Sequence, residues 1–131
     1  MRLLLDTHIL LWLLAGSDRL PASAIELIGA TGTHVVASTA SVWEVAIKWS
    51  LRRGAAEDMP LSGRDFAAAL DSAGIEVLPI RAAHASELDA LPSFHRDPFD
   101  RILIATARVE GLTLLTHDAQ LKAYGSAVTL V

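Results

Sequence analysis

The chain contains no cysteine among its 131 residues. This absence excludes a disulfide framework, a zinc ribbon and catalysis by a thiol, and it suits the reducing cytoplasm, where we expect the protein to lie. Long hydrophobic runs are missing too, since no apolar stretch approaches the roughly 18 residues of a membrane span. The run Ile9–Ala15, which follows Asp6 and His8, is at the short limit for a secretory signal. We therefore expect neither a membrane segment nor a cleaved leader.

Positive charge is scarce as well. Lysine and arginine number 11 against 15 acidic residues, which gives a formal net charge of −4. Because proteins that hold nucleic acid through phosphate contacts are usually basic, either nucleic acid is not the ligand or a bound cation mediates the contact. A content of 52% hydrophobic and 20% charged residues excludes disorder. The length fits one domain, residues 1–131, with a hydrophobic core.

Short apolar stretches alternate with helical patterns along the whole chain. The predicted strands are Arg2–Asp6, His34–Ala37, Ile75–Leu78, Thr113–Thr116 and Ala127–Val131. The predicted helices are Ile9–Ala15, Pro21–Gly29, Ala40–Arg53, Phe66–Ala73, Ala82–Leu91, Asp97–Glu110 and Asp118–Tyr124. Strands separated by helices throughout indicate an α/β fold with a parallel sheet and helices on both faces.

Two of the predicted strands have a carboxylate at or just past their carboxyl end. Leu3-Leu4-Leu5 runs directly into Asp6, and Leu114-Leu115-Thr116 is followed by His117-Asp118. An ionised aspartate is rarely buried unless it is paired or binds a metal, and functional groups in parallel sheets gather at the carboxyl ends of the strands. We therefore expect Asp6 and Asp118 to share a site. The alternative for Asp118 is that it only caps the following helix.

The helix Ala40–Arg53 is mostly apolar but carries one narrow polar stripe. Its members are Ser41, Glu44, Lys48 and Arg52. One interpretation is that the stripe faces a polar cleft. The other is that it faces solvent, with Glu44 and Lys48 paired one turn apart. The pattern leaves both open.

The segment Asp97-Pro98-Phe99-Asp100 has the residues of a helix start, with an acidic cap, a proline at the first position and an acid in the first turn. Asp100 nevertheless lies one turn before Ile104 on an apolar face, where an acid needs a partner. With this residue, four acids fall around one edge of the predicted sheet: Asp6, Glu44, Asp100 and Asp118.

Four carboxylates cannot lie close together without being neutralised. Two of them about 5 Å apart repel by about 3 kcal/mol at an effective dielectric constant of about 20. One or two divalent cations remove this penalty, and ligands that are all oxygen favour Mg²⁺ or Mn²⁺ over zinc. Such a site commonly hydrolyses phosphodiesters, and it allows an acidic protein to contact nucleic acid through metal.

Four short motifs, in their order and spacing, resemble those of PIN domains. They are Leu4-Leu5-Asp6-Thr7-His8, Ser41-Val42-Trp43-Glu44, His95-Arg96-Asp97-Pro98-Phe99-Asp100-Arg101 and Leu115-Thr116-His117-Asp118. The details at His8, Trp43 and the Asp-Pro-Phe-Asp-Arg run are similar to the VapC-type toxins of bacterial toxin–antitoxin pairs. The resemblance covers essentially the whole chain.

This resemblance implies a three-layer domain with a parallel five-stranded sheet of order 3-2-1-4-5, and a Mg²⁺- or Mn²⁺-dependent endoribonuclease. The catalytic and metal-binding acids of the family match Asp6, Glu44, Asp100 and Asp118. Further residues of the motifs that are candidates for supporting these acids are Thr7, Ser41, Asp97 and Thr116. The resemblance also implies RNA as substrate, a homodimer, and a cognate VapB-like antitoxin as partner.

Several other residues keep two interpretations. His8 and His117 each lie next to a candidate acid, where a histidine acts either as a base or, more commonly, as an orienting group. The tryptophans could stack on RNA bases, but their helical spacing among apolar neighbours favours core or dimer contacts for all three, Trp12, Trp43 and Trp49. Candidate phosphate contacts are Arg52, Arg96 and Arg101, the last of which could instead pair with a carboxylate. The alternative function is a catalytically inactive acidic α/β binding module.

Overall fold

The computed structural model, which describes residues 1–131, is organised around a parallel sheet. Its strands are β1 (Arg2–Leu5), β2 (His34–Ser38), β3 (Glu76–Leu78), β4 (Thr113–Thr116) and β5 (Val128–Leu130). Their order in the sheet is β3-β2-β1-β4-β5, and every neighbouring pair is parallel. This is the order that the sequence resemblance implies.

Helices cover both faces of the sheet. They are α1 (Thr7–Ala15), α2 (Ala22–Gly29), α3 (Thr39–Ser50), α4 (Gly63–Ser72), α5 (Ala82–Glu87) and α6 (Pro98–Glu110), followed by a 3₁₀ segment, Ala119–Ala127. Because side chains alternate across a strand, Leu3 and Leu5 of β1 pack into one core with α1 to α4. Leu4 points the other way and packs with α6 and the 3₁₀ segment. None of the helices has the length and hydrophobicity that crossing a membrane requires.

The strand order reverses between β1 and β4, and this places the candidate acids together. The chain leaves β1 toward β2 on one side, whereas β4 lies on the other side. Leu5 is in register with Leu115, and the N–H of Asp6 donates to the carbonyl of Leu115. The residues that follow both strands therefore emerge side by side at one edge, where open α/β sheets commonly bind their ligands.

Several helix ends differ from the predictions, each for a local reason. Helix α3 ends at Ser50 rather than Arg53, because the Asp58 carboxylate accepts hydrogen bonds from three successive N–H groups, residues 53–55, and holds them in a turn. Helix α5 ends at Glu87 rather than Leu91, because the N–H groups of residues 88–91 each donate to the carbonyl three residues earlier, which tightens the chain into turns.

The C-terminal helix and the start of α4 also differ. The segment predicted as a helix over Asp118–Tyr124 is a 3₁₀ segment that bends at Gly125, whose φ is 74°. Helix α4 begins at Gly63 rather than Phe66, with the Ser62 hydroxyl accepting from the N–H of Asp65. Ser62 and Asp65 have the spacing of a capping box, in which the second side chain also accepts from the backbone N–H of the first residue. Only the bond to Ser62 forms here, because the aspartate side chain is shorter than the usual glutamate.

Of the three tryptophans, for which the sequence predicts core or dimer contacts, two pack against the core. Trp12 and Trp49 are partly buried against the core of α1 to α4. Trp43 keeps 55% of its surface exposed and packs edge-on against Phe99, with ring centroids 5.1 Å apart. The start of α6, which carries Phe99, covers this side of α3 only in part, so much of the Trp43 side chain remains at the surface.

We expect Trp43→Ala to lower the free energy of unfolding by about 1 kcal/mol, because it loses one aromatic contact at the surface. The matched core variant Leu103→Ala removes a fully buried side chain, and we expect it to cost about 2–5 kcal/mol. Urea unfolding of both variants measures the difference. Equal losses would contradict the surface position of Trp43.

Candidate active site

An acidic cavity of about 330 Å³ opens at the carboxyl ends of β1 and β4, and no hydrophobic side chain lines it. Its lining residues are Asp6, His8, Glu44, Lys48, His95, Asp97, Asp100, Asp118 and Gln120. The four acids that the sequence singled out thus meet in one place, together with Asp97. We refer to this space as the acidic cavity.

Asp6 is held rigidly at the end of β1. Only 6% of the surface of this residue is exposed. Oδ1 accepts from the N–H of Thr7 at 2.7 Å, and Oδ2 accepts from the Thr116 hydroxyl at 2.6 Å. The Thr116 oxygen in turn accepts from the N–H of Asp118 at 3.1 Å. Burial raises the pKa of Asp6 despite these hydrogen bonds, and the charge of Glu44 adds to the rise.

Glu44 and Ser41 point from α3 into the protein, and Glu44 and Lys48 line the acidic cavity, whereas Arg52 at the end of the polar stripe is exposed. Glu44 and Ser41 are both buried. The Thr7 hydroxyl lies 2.9 Å from the Ser41 hydroxyl and donates to Oε1 of Glu44 at 2.7 Å. Oε2 of Glu44 accepts from Nζ of Lys48 at 2.6 Å. The ion pair that the sequence offered as a solvent feature is therefore part of the cavity wall.

Lys48 is the only lysine or arginine in the lining of the acidic cavity. Partial burial alone would favour its neutral amine. The hydrogen bond to Glu44 outweighs that effect and, with the charges of Glu44, Asp97 and Asp100, raises the pKa of Lys48. The ammonium consequently stays charged and offsets part of the negative charge of the wall.

Asp97 and Asp100 have different roles at the start of α6. Oδ1 of Asp97 accepts from the N–H groups of Phe99 and Asp100, so it caps the helix as predicted. Asp100 points into the cavity, where its Oδ2 lies 2.7 Å from Nε2 of His95. Burial, and then the charges of Asp6 and Asp97, raise the pKa of Asp100 to about 7.

Asp118 serves as both a cap and a cavity residue, so the two interpretations of its sequence position are compatible. Oδ1 accepts from the N–H of Gln120 at 2.9 Å and caps the 3₁₀ segment. Oδ2 remains open to the cavity, 3.9 Å from Nε2 of His95.

The donor set of the acidic cavity fits a divalent cation. Ligand atoms of His95, Asp100 and Asp118 all lie within 4.8 Å of one another, while the carboxylates of Asp6 and Glu44 line the same space. Burial, and then the charges of Asp6 and Asp97, raise the pKa of Asp100, and a bound cation would favour its ionised form. Oxygen-rich sites of this kind are typical of Mg²⁺ and Mn²⁺.

Three cavity residues, Lys48, His95 and Gln120, were not identified as site candidates from the sequence. Lys48 has a local signal, because it follows Glu44 by one helical turn, but that spacing is equally typical of a solvent-exposed pair. His95 lies in the loop before α6, where no periodicity shows in which direction a side chain points. Its position five residues before Asp100 becomes meaningful only once the loop folds back over the helix start.

The three predicted phosphate contacts lie outside the lining of the acidic cavity. The guanidinium of Arg52 lies over the Trp49 ring, 3.3 Å from its centroid. Arg101 donates to the carbonyls of Pro92 and His95 and thereby anchors the loop that carries His95. Arg96 is exposed on the same loop.

Comparisons with known proteins agree with this architecture. The family described as PIN domain matches residues 3–126. No curated protein is a significant match. The crystal structure of VapBC2 from Rickettsia felis bound to a promoter DNA fragment contains a chain that is 16% identical, with a TM-score of 0.68 and coverage of 100% of this chain and 98% of that one.

Two further solved structures are similar over nearly their whole length. A toxin–antitoxin complex from Klebsiella pneumoniae gives 22% identity, a TM-score of 0.65 and coverage of 96% of this chain and 94% of the other. The structure of FitAcB from Neisseria gonorrhoeae gives 23% identity, a TM-score of 0.63 and coverage of 96% and 95%. At these identities the three structures establish a common fold. Together with the family match over residues 3–126, they show that the chain belongs to the PIN domain family.

Proposed function

We propose that this PIN domain is a divalent-metal-dependent endoribonuclease and the toxin of a toxin–antitoxin pair. The observation that supports the proposal most directly is the convergence of Asp6, Glu44, Asp100 and Asp118 on one acidic cavity. PIN domains are generally nucleases, and the acids lie where parallel α/β sheets place their chemistry. The negative charge of the chain is consistent with recognition of a phosphodiester through a cation rather than through a basic surface.

In this proposal Asp6, Asp100 and Asp118 hold Mg²⁺ or Mn²⁺, and Glu44 completes the negative wall. When bound, the cation lowers the pKa of water and stabilises charge that develops on the phosphate. Thr116 positions Asp6 through its hydroxyl, and Thr7 positions Glu44 in the same way. His95 holds Asp100 in one orientation through the hydrogen bond between its Nε2 and Oδ2 of Asp100.

Lys48 has a separate role in this proposal. Its ammonium donates a hydrogen bond to Glu44 and places a positive charge in the cavity wall. Asp97 is bonded to the N–H groups at the start of α6 and adds negative charge next to Asp100. Lys48 therefore adds positive charge to the cavity wall, and Asp97 adds negative charge.

The toxin assignment is supported by the structural neighbours, which come from complexes described as VapBC2, a toxin–antitoxin complex and FitAcB. The chain covers nearly the full length of each neighbouring chain. We propose a cognate antitoxin as the partner of this chain, and a homodimer as its assembly.

We expect Asp6→Asn to abolish RNA cleavage, with a loss of at least about a hundredfold, because it removes a charged ligand at the centre of the site. The measurement is cleavage of a mixed RNA pool with Mg²⁺, with Mn²⁺ and with chelator. Asp89→Asn is the matched control, since Asp89 is exposed and outside the cavity lining. In metal-free buffer the Asp6→Asn variant should be as stable as the parent or slightly more stable, because repulsion is relieved.

Cleavage by Asp6→Asn at the parent rate would refute the metal-site assignment. A parent chain that binds Mg²⁺ in calorimetry but cuts no RNA would instead favour the inactive binding module.

The raised pKa of Asp100 predicts opposite pH dependences for stability and for metal binding. The folded protein binds this proton more tightly than the unfolded chain between the ordinary pKa of 3.8 and the folded value of about 7. The metal-free protein should therefore lose stability as pH rises through that range. Mg²⁺ competes with the proton, so its apparent affinity should rise up to about pH 7 and then level off.

Thermal unfolding with chelator and Mg²⁺ calorimetry, each across this pH range, measure the two effects. Asp100→Asn should flatten the stability profile, whereas Asp89→Asn should leave it unchanged. A metal-free stability that rises with pH in the parent but not in Asp100→Asn would contradict the assignment.

A further inference from the structure

A second cavity, of about 320 Å³, opens directly beside the acidic cavity. Its lining residues are Asp6, His8, Trp12, Arg19, His117 and Asp118. Three of them, Asp6, His8 and Asp118, also line the acidic cavity. We call this second space the histidine groove. When a nucleic-acid strand presents one phosphate to the acidic cavity, its neighbouring nucleotide must lie beside that cavity. The histidine groove is in this position.

Aromatic rings form one wall of the histidine groove. Trp12 lies between two imidazoles, with its centroid 5.9 Å from His8 and 5.6 Å from His117. The ring of His8 is tilted by 32° to the indole, and that of His117 meets it edge-on at 71°. Both histidines are exposed, and Trp12 is half-buried. Aromatic side chains arranged along a polar groove are typical platforms for unpaired bases.

Arg19 supplies a positive charge that no protein group neutralises. Its backbone N–H donates to the Ser17 hydroxyl, whereas its guanidinium forms no hydrogen bond and no ion pair. The cation of the acidic cavity, Lys48, is already bonded to Glu44. Arg19 is therefore the free cation next to Asp6 and Asp118, and a guanidinium is well suited to a phosphate oxygen.

The groove continues away from the acids. A further cavity of about 510 Å³, between α1 and the loop that contains Glu57 and Asp58, shares His8, Trp12 and Arg19 with the histidine groove. A continuous track thus leads from the acidic cavity past Trp12 and Arg19. Such a track accommodates an extended strand rather than an isolated nucleotide.

We propose that the histidine groove is a subsite for single-stranded RNA, which binds the nucleotide next to the scissile bond. Its base packs against the wall formed by Trp12, His8 and His117, and its phosphate contacts Arg19. An unpaired strand is required, because a base in a duplex does not expose its face. This inference rests on the proposed ribonuclease function and names positioning residues that the sequence analysis did not assign.

The test separates binding from cleavage. Affinity for a labelled single-stranded oligoribonucleotide is measured by anisotropy in the otherwise unchanged chain, with Ca²⁺ in place of Mg²⁺ because Ca²⁺ binds the same oxygen ligands without the octahedral geometry that Mg²⁺ demands. Electrophoresis of the recovered strand checks that it stays intact. Arg19→Ala should weaken binding about tenfold and reduce the slope of log affinity against log salt by about 0.7, as expected for one lost phosphate contact. Arg19→Lys should restore most of both. Arg64→Ala is the matched control, since Arg64 is exposed and lines neither cavity.

Trp12→Leu tests the aromatic wall. Leucine preserves hydrophobic contact with the core but removes the stacking surface, so affinity should fall about tenfold with no change in the salt slope. In the cleaving parent, Arg19→Ala should raise KM and leave kcat within about threefold, because the arginine positions substrate without touching the acids.

Arg19→Ala binding that equals the Arg64→Ala control would overturn the subsite, even if the parent cleaves RNA in Mg²⁺. Binding of a single-stranded deoxyribonucleotide but not of RNA would overturn the assignment to RNA. A parent chain that neither binds nor cleaves RNA in Mg²⁺ would overturn the proposed function and, with it, this inference.

Discussion

Repulsion among carboxylates held at one edge of the sheet is the constraint on which the rest of the site depends. Asp6 and Glu44 are almost completely buried, and burial and neighbouring charges raise the pKa of Asp100 to about 7. Two hydroxyls, one ammonium and one imidazole are arranged around these acids, so each buried oxygen has a partner. No buried side-chain nitrogen or oxygen lacks a hydrogen bond, and a cation in the cavity would further offset the repulsion among the acids.

The fold meets this constraint through rigid elements rather than loops. Asp6 follows a strand buried on both faces, and Thr116 ends the neighbouring strand in register with it. Glu44 comes from a helix whose polar side turns inward, where the Thr7 hydroxyl reaches it. A site built on strands and a packed helix holds its ligands within a narrow geometry, as metal-assisted hydrolysis requires. The histidine groove differs in this respect, because Arg19 lies on the connection between α1 and α2.

Much of this arrangement was predictable where the signal is local. The position of a carboxylate at or just past the end of an apolar strand identified Asp6 and Asp118. The order of the strands came from the family resemblance, because the alternation of strands and helices does not determine which strands are neighbours. Periodicity gave the polar face of α3 but not what that face meets, since its partner Thr7 is 37 residues away in the chain. For Trp43 the helical spacing did not distinguish a core position from an exposed one, because a mostly apolar helix is compatible with both. Arg19 lies between two helices without any pattern, so only the folded chain shows that it lies beside the acids.

The central claim is that the acidic cavity holds a divalent cation on residues brought together from distant parts of the chain. Anomalous diffraction from crystals of the full chain grown with Mn²⁺ tests it most directly. We predict a peak in the acidic cavity, in contact with carboxylate oxygens of Asp6, Asp100 and Asp118 and absent in crystals of the Asp6→Asn variant. A cavity that contains no peak at saturating Mn²⁺ in an otherwise unchanged structure, or a peak bound elsewhere, would contradict the account.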